Sequence, residues 1–242
     1  MEFRAPLVAG TLLRRYKRFL ADVRLADGTA LTAHCPNTGS MLGCQDPGMR
    51  VWLSHSDNPR RKYAFTWELV ESRPGVLVGI HTGRSNALVR EALEAGLVPE
   101  LLGYRDLRPE VRLPGSASRI DFLLQGHVTA PDCLLEIKNV TAAVERGVAL
   151  FPDAISARGS RHMYHLAESR RQGYRAALVF CVQREDVDEV RPADAIDPAY
   201  GRALREAMEA GVGVYALGAS VSESGIRLDR CLPVVCPALA PS

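Results

Sequence analysis

Three ionisable side chains sit inside two apolar runs, Ile120-Asp121-Phe122-Leu123-Leu124 and Cys133-Leu134-Leu135-Glu136-Ile137-Lys138-Asn139-Val140. Both runs read as short buried strands. Side chains alternate across a strand, so Glu136 and Lys138, two apart, face the same side. Hairpin pairing across the loop Gln125–Pro131 brings Asp121 alongside them. Charge on strands otherwise set for burial is costly unless it is paired or binds an ion. Two carboxylates suit a hard divalent cation, Mg²⁺ or Mn²⁺ in its place, with several waters retained. Such an ion polarises a phosphate and lowers the pKa of water, while Lys138 can position or deprotonate the water and offset developing charge. The chemistry is phosphodiester hydrolysis. The competing reading is a charged strand face with Asp121 as an ion-pair partner, because Glu-x-Lys alone is a common tripeptide. The apolar flanks and the acid-bearing strand 15 residues earlier weigh against it.

Positioning these groups takes a sheet, and the surrounding pattern predicts one. Up to residue 82 the chain reads as short strands at Leu7–Leu13, Phe19–Leu25, Thr29–Cys35, Arg50–Ser54, Tyr63–Glu71 and Val76–His81, with Asp27-Gly28 as a hairpin turn. That density of strands without helical period points to an OB-like barrel over residues 1–82. From 83 to 242 helices and strands alternate, which argues for an α/β domain. Its expected helices are Asn86–Leu97, capped by Asn86 or Ser85, then Arg161–Gly173 and Ala199–Ala210. Its expected strands are Ile120–Leu124, Cys133–Val140, Ala176–Val182, Val214–Val221 and Gly225–Leu228. No repeat or low-complexity linker separates the two parts, so they are expected to pack closely.

The chain of 242 residues is 47% hydrophobic and 24% charged, an ordinary globular balance. Its net charge of +2 is unevenly spread, because residues 1–62 hold 10 Lys and Arg against 5 Asp and Glu. Within that stretch Arg14, Arg15, Lys17 and Arg18 flank Tyr16 and Phe19, and Arg60, Arg61 and Lys62 precede Tyr63. Cations that track phosphates beside rings that stack on bases fit DNA, although solvated basic loops with core aromatics would look the same. No recognition helix is evident, so binding is expected to be largely indifferent to base sequence. The string His34-Cys35-Pro36-Asn37-Thr38-Gly39-Ser40-Met41 is either a phosphate-cradling turn or a structural one. Arg158-Gly159-Ser160-Arg161-His162 could meet phosphates near a helix start. His162 and His165, three apart, lack a third ligand at suitable spacing, so no metal is expected there. The six cysteines show no zinc spacing and read as buried thiols of a reducing cytosol. A start with Glu2 and interspersed basic residues does not fit a secretory signal. No apolar stretch approaches the ~20 residues that cross a bilayer. A cytoplasmic protein with no membrane role is expected, its subunit number left open.

Several strings together resemble the sugar fermentation stimulation protein A family. They are Arg15-Tyr16-Lys17-Arg18-Phe19-Leu20-Ala21-Asp22-Val23, the His34–Met41 string, Lys62-Tyr63 with Thr66-Trp67-Glu68-Leu69, Ser118-Arg119-Ile120-Asp121-Phe122, Glu136-Ile137-Lys138, and Phe151-Pro152-Asp153-Ala154 with Arg158-Gly159. The resemblance runs from about Met1 to about Pro233. It implies an OB-like domain joined to a PD-(D/E)xK nuclease-like domain, DNA binding, and a link to regulation of maltose metabolism. The nuclease-like motif falls on Asp121, Glu136 and Lys138. In such a fold an acid on the first helix often joins the metal, which puts forward Glu91, with Glu94 as competitor. Ile120, not proline, precedes Asp121, a departure that bears on cleavage rather than on fold. Two functions follow: a Mg²⁺-dependent nuclease, or a non-catalytic DNA-binding regulator linked to sugar metabolism. A sugar-metabolising enzyme finds no support, since neither a Gly-rich phosphate loop nor a nucleophile elbow is present.

Overall fold

A computed structural model describes residues 1–112, 119–143 and 147–238; Ser118 of the Ser-Arg-Ile-Asp string lies outside them. In the first part, alternation and tight turns build a meander. β1 (Val8–Tyr16) turns at Lys17 and Arg18 into β2 (Leu20–Leu25). The Asp27-Gly28 turn then leads to β3 (Ala30–His34), with Gly28 at φ 86° and the Asp27 carboxylate accepting from Thr29 N–H at 2.9 Å. β4 (Arg50–His55), β5 (Phe65–Arg73) and β6 (Val76–Gly79) follow. The order is β3-β2-β1-β4-β5-β6, and His34 of β3 pairs back with Thr66 of β5, which closes a five-stranded barrel. Leu12, Val23, Val51, Leu53, Trp67 and Val70 fill it.

The second part is built on a six-stranded mixed sheet with helices on both faces. It runs α1 (Ser85–Glu94), β7 (Asp106–Arg112), β8 (Arg119–Gln125), β9 (Cys133–Val140), β10 (Gly147–Phe151), α2 (Ala157–Arg171), β11 (Arg175–Val182), β12 (Val187–Pro192), α3 (Pro198–Glu209), β13 (Gly213–Ser222) and β14 (Gly225–Leu232). The sheet order is β14-β13-β11-β9-β8-β7, parallel in its centre (β9, β11, β13) and antiparallel at both edges. Period-two alternation divides its core. Leu135 and Ile137 of β9 face α1 through Leu88, Val89 and Leu93. Leu134 and Val140 of the same strand face α2 and α3 through Met163, Leu166, Tyr200 and Leu204. Trp52 and Leu69 of the barrel belong to the α1-side core, so the two parts share one apolar seam. No helix among the described residues is long and apolar enough to cross a membrane.

Three strands lie beyond what sequence pattern predicted. β7 contains Pro109 and is mostly exposed at a sheet edge, and β10 and β12 form a two-stranded parallel sheet of their own. Neither Ser85 nor Asn86 caps α1; both lie inside its first turn. α2 begins at Ala157 rather than Arg161 because Ser156 is its cap, accepting from Gly159 N–H at 3.0 Å. All three helices end in a Schellman closure on a left-handed glycine, as at Gly96 (φ 79°), where Leu97 N–H reaches Ala92 O at 3.0 Å. The cysteines are all free; burial pushes the thiol of Cys44 up to about 11 and those of Cys133 and Cys181 to about 12, which leaves these three unreactive.

One buried acid ties two helices together. Asp197 caps α3 by accepting from Tyr200 N–H at 3.0 Å and also accepts from Ser156 N–H, the residue before α2, at 2.7 Å. Asp197→Ala is expected to lower unfolding stability by about 2–4 kcal/mol, with Asp197→Asn recovering half or more of it. Urea denaturation measures this, and an alanine cost below about 1 kcal/mol would show that the double cap does not hold α2 in place.

Candidate active site

The β8–β9 ladder is short: Leu124↔Cys133, Leu123↔Leu134 and Phe122↔Leu135. One further step would set Asp121 against Glu136, and there the pairing stops. On the other side of β8 the ladder likewise passes from Pro109↔Phe122 to Val111↔Ile120, and the skipped residue, Glu110, has φ 52°. Asp121 therefore stands where the sheet opens. Its Oδ2 accepts from Ile137 N–H at 2.7 Å, taking the place of a strand carbonyl.

Glu136 is buried, only 3% exposed. Its Oε1 accepts from Lys138 Nζ at 2.6 Å and meets His162 Nδ1 in a short contact, while Lys138 Nζ lies 3.1 Å from the same imidazole nitrogen. Arg158, one turn before His162 on α2, donates Nε–H to His162 Nε2 at 3.3 Å. An imidazole protonated on Nδ1 satisfies both ends, donating to Glu136 and accepting from Arg158. Burial pushes the Asp121 carboxyl up to about 6, and the Glu136 charge adds to the effect. Burial would raise Glu136 as well, but the His162 hydrogen bond and the Lys138 charge outweigh it and hold the group below its usual value. Two facing carboxylates are thus pushed apart in pKa, a pattern of functional sites.

The donor set fits a divalent cation. Asp121 Oδ1 has only a long 3.5 Å contact with Asn86 Nδ2, and Glu136 Oε2 has no protein hydrogen bond among the described residues. Among those residues no three His, Cys, Asp or Glu stand close enough to hold a metal, so a cation here would complete its coordination with water and substrate, the habit of Mg²⁺.

Asp121, Glu136 and Lys138 come together as the sequence predicts; Glu91 does not join them. Its Oε2 takes the Met1 amino group at 2.8 Å, and Glu94 pairs loosely with Arg90 at 3.8 Å. Five residues beyond Asn86, Glu91 is turned about 140° around the helix. The helix side chains that reach the site strands are Asn86, on Asp121, and Ser85, whose Oγ donates to Asn139 Oδ1 at 2.9 Å. His162 and Arg158 also join the site, on Glu136, and no linear spacing could have announced that contact, because α2 packs on β9 from 24 residues away.

The basic clusters are only partly free. Arg14 pairs with Asp22 at 2.7 Å, Arg15 donates to Arg18 O, Asn37 O, Gly39 O and Gln45 Oε1, and Arg18 donates to Thr38 O. Arg15 and Arg18 stitch the first barrel turn to the Pro36–Gly39 loop, and Arg14 ties β1 to β2. That loop is structural, not an anion cradle: Gly39 N–H donates to Asn37 Oδ1 and Met41 N–H to Asp153 Oδ2. Arg61 holds Thr66 Oγ1 at 2.7 Å. The side chains of Lys17, Arg60 and Lys62 are exposed and have no hydrogen bond or ion pair among the described residues.

Comparison with known proteins agrees over the whole chain. Residues 13–80 match a family model described as the SfsA N-terminal OB domain, and residues 83–225 match one described as the sugar fermentation stimulation protein RE domain. Sugar fermentation stimulation protein homologs of Alkalilimnicola ehrlichii and Thioalkalivibrio sulfidiphilus are 64% and 62% identical, covering 98% and 97% of this chain and 100% and 98% of theirs. A solved structure of Pyrococcus furiosus SfsA in complex with Ca²⁺ superposes with TM-score 0.87 at 30% identity, over 97% of this chain and 98% of that one.

The raised Asp121 pKa has a definite sign in stability. Its folded value of about 6 exceeds the ordinary 3.8, so the contribution of the protonated acid is fully present below about 4 and is lost as pH rises through about 6. Without divalent cation, Asp121→Asn should stabilise the protein at pH 8 by up to about 3 kcal/mol and not at pH 4. Urea titrations in chelator at both pH values test this; equal effects at the two would mean the acid is not strained by its site.

Proposed function

The chain belongs to the sugar fermentation stimulation protein family, and from that premise we propose that it binds DNA with little regard to base sequence and hydrolyses its phosphodiester bonds with Mg²⁺ or Mn²⁺ held by Asp121 and Glu136. One observation carries the reading: two opposed carboxylates, one with its pKa pushed up, lie at the opening of a sheet beside a lysine. The Ca²⁺ named with the Pyrococcus furiosus relative supports it, since Ca²⁺ is likewise a hard, oxygen-seeking ion.

A bound Mg²⁺ or Mn²⁺ supplies Lewis acidity toward the phosphate and a lowered pKa for water. The chain's own groups do the rest. Asp121 Oδ1 and Glu136 Oε2 are the oxygens that would hold the ion. His162, backed by Arg158, anchors Glu136 through Oε1 and leaves Oε2 without a protein hydrogen bond among the described residues. Lys138 Nζ brings positive charge to the oxygen on which negative charge builds, and it does so from a half-buried position where that charge counts for more. Lys17, Arg60 and Lys62 are the barrel cations available to phosphates.

A second reading, a DNA-binding regulator without cleavage, draws on the two contacts Lys138 already makes, with Glu136 and His162. Incubation with plasmid and single-stranded DNA in Mg²⁺, Mn²⁺ or chelator separates the two. Under the first, Asp121→Ala and Glu136→Ala abolish calorimetric cation binding and keep or tighten DNA binding, whereas Lys138→Ala binds the ion and loses about 10²-fold or more in cleavage. Cation binding unchanged in both acid variants would reduce the site to a charged strand face. Replacing Lys17, Arg60 and Lys62 together by alanine should flatten the slope of log K against log salt for duplex DNA by roughly 2 to 3. An unaltered slope would move the DNA surface off the barrel.

A further inference from the structure

We propose that the cavity between the N-terminal segment and the barrel is a second ligand site, one that takes the phosphomonoester of a nucleotide, free or at the end of a DNA strand. The inference does not rest on the cation reading. The cavity measures about 550 Å³, within the range of small-molecule sites. Its wall collects donors from three directions: His34, His55 and Arg61 from the barrel, Arg4 from the N-terminal segment, and His81 and Arg84 from the turn entering α1.

The acids on the same wall do not call for a cation. Glu68 is 1% exposed, and both of its oxygens are engaged, by Arg84 Nε and Nη2 at 2.7 Å each and by Ser54 Oγ at 2.7 Å. That carboxylate orients Arg84 and is neutralised in doing so. Glu2 is exposed at the rim on the bridge to Gly225. The Arg61 guanidinium makes one hydrogen bond among the described residues, to Thr66 Oγ1, which leaves most of it for the planar, bidentate recognition that phosphate favours. His81 Nδ1 is buried without a hydrogen-bond partner among the described residues, an orphan that a ligand hydroxyl or phosphate would satisfy. Burial lowers the pKa of His34 and His81, Arg61 adding to the effect at His34, so the imidazoles at rest are uncharged. Ring surfaces for a base are present as well: Phe3 lies under the Arg84 guanidinium at 5.1 Å, and His55 packs on Phe65 at 4.9 Å.

The site and the Asp121 site lie on either side of the first turn of α1, since Arg84 faces the cavity while Ser85 and Asn86 face β9 and β8. Calorimetry on the full chain in chelator separates it from the cation site. The probes are inorganic phosphate, adenosine, adenosine 5′-monophosphate, and one short oligonucleotide with and without a 5′-phosphate. The expected result is that adding the phosphate tightens binding about tenfold or more on adenosine or on the oligonucleotide, and whichever pair responds names the source. The double variant Arg4→Gln, Arg61→Gln should lose that gain while melting like the parent, and Asp121→Asn should keep it. Absence of binding by every phosphate-bearing probe up to about 10 mM overturns the proposal. So does an equal affinity with and without phosphate, or a gain that survives in the double arginine variant.

Discussion

The hydrogen bond from Ile137 N–H to Asp121 Oδ2 is the constraint on which the site depends. A sheet that opens between two buried strands leaves a main-chain donor without its carbonyl, and a buried orphan donor costs about 1–3 kcal/mol. Here a side-chain carboxylate fills the gap, so the fork and the acid require each other. Because the ladder register carries Asp121 opposite Glu136, the same bond brings the two acids together. The strain of that encounter is offset unevenly. Glu136 has His162 and Lys138 and stays ionised, whereas Asp121 has one amide and a distant asparagine and is left with a raised pKa.

Around this fork the packing is arranged to hold three elements at once. α2 must sit close enough to bring His162 onto Glu136, and its first turn is fixed by Ser156 and by Asp197 from α3. α1 must present Asn86 and Ser85 to the strands, and the turns that follow are locked by Leu88, Val89 and Leu93 against the sheet, together with Trp52 and Leu69 from the barrel. The barrel thus helps to position the site helix through an apolar seam, and Arg15 and Arg18 serve the barrel itself. Arg15 alone ties four acceptors across two loops, a use that removes it from any surface that meets phosphate.

What could be read from sequence was what alternation and local turn chemistry encode. Asp121, Glu136 and Lys138 were legible because period-two patterning fixes which strand residues share a side, and the barrel was legible from its turns. Glu91 was put forward from the family resemblance alone, and its angle around the helix, about 140° from Asn86, turns it from the site and onto the Met1 amino group. His162 was missed because its partner lies on a different element, and helix-to-strand contacts leave no trace in spacing. The arginine clusters looked alike in composition, yet main-chain carbonyls of a neighbouring loop claim Arg15 and Arg18 and leave Lys17 exposed. β7 is an exposed edge strand and β10 and β12 are short, so the alternation that reveals a strand is weak in them.

The meeting of the Pro36–Met41 loop with Asp153 bears on how such a chain can change over generations. A Cβ on Gly39 would come within 2.7 and 2.9 Å of the Asp153 carboxylate oxygens, while Ser40 and Met41 bond to the same residue. Substitutions on one side of that joint must be matched on the other, and the shared seam at Trp52 and Leu69 adds a second joint under the same rule. A recombination event that exchanged the barrel alone would break both.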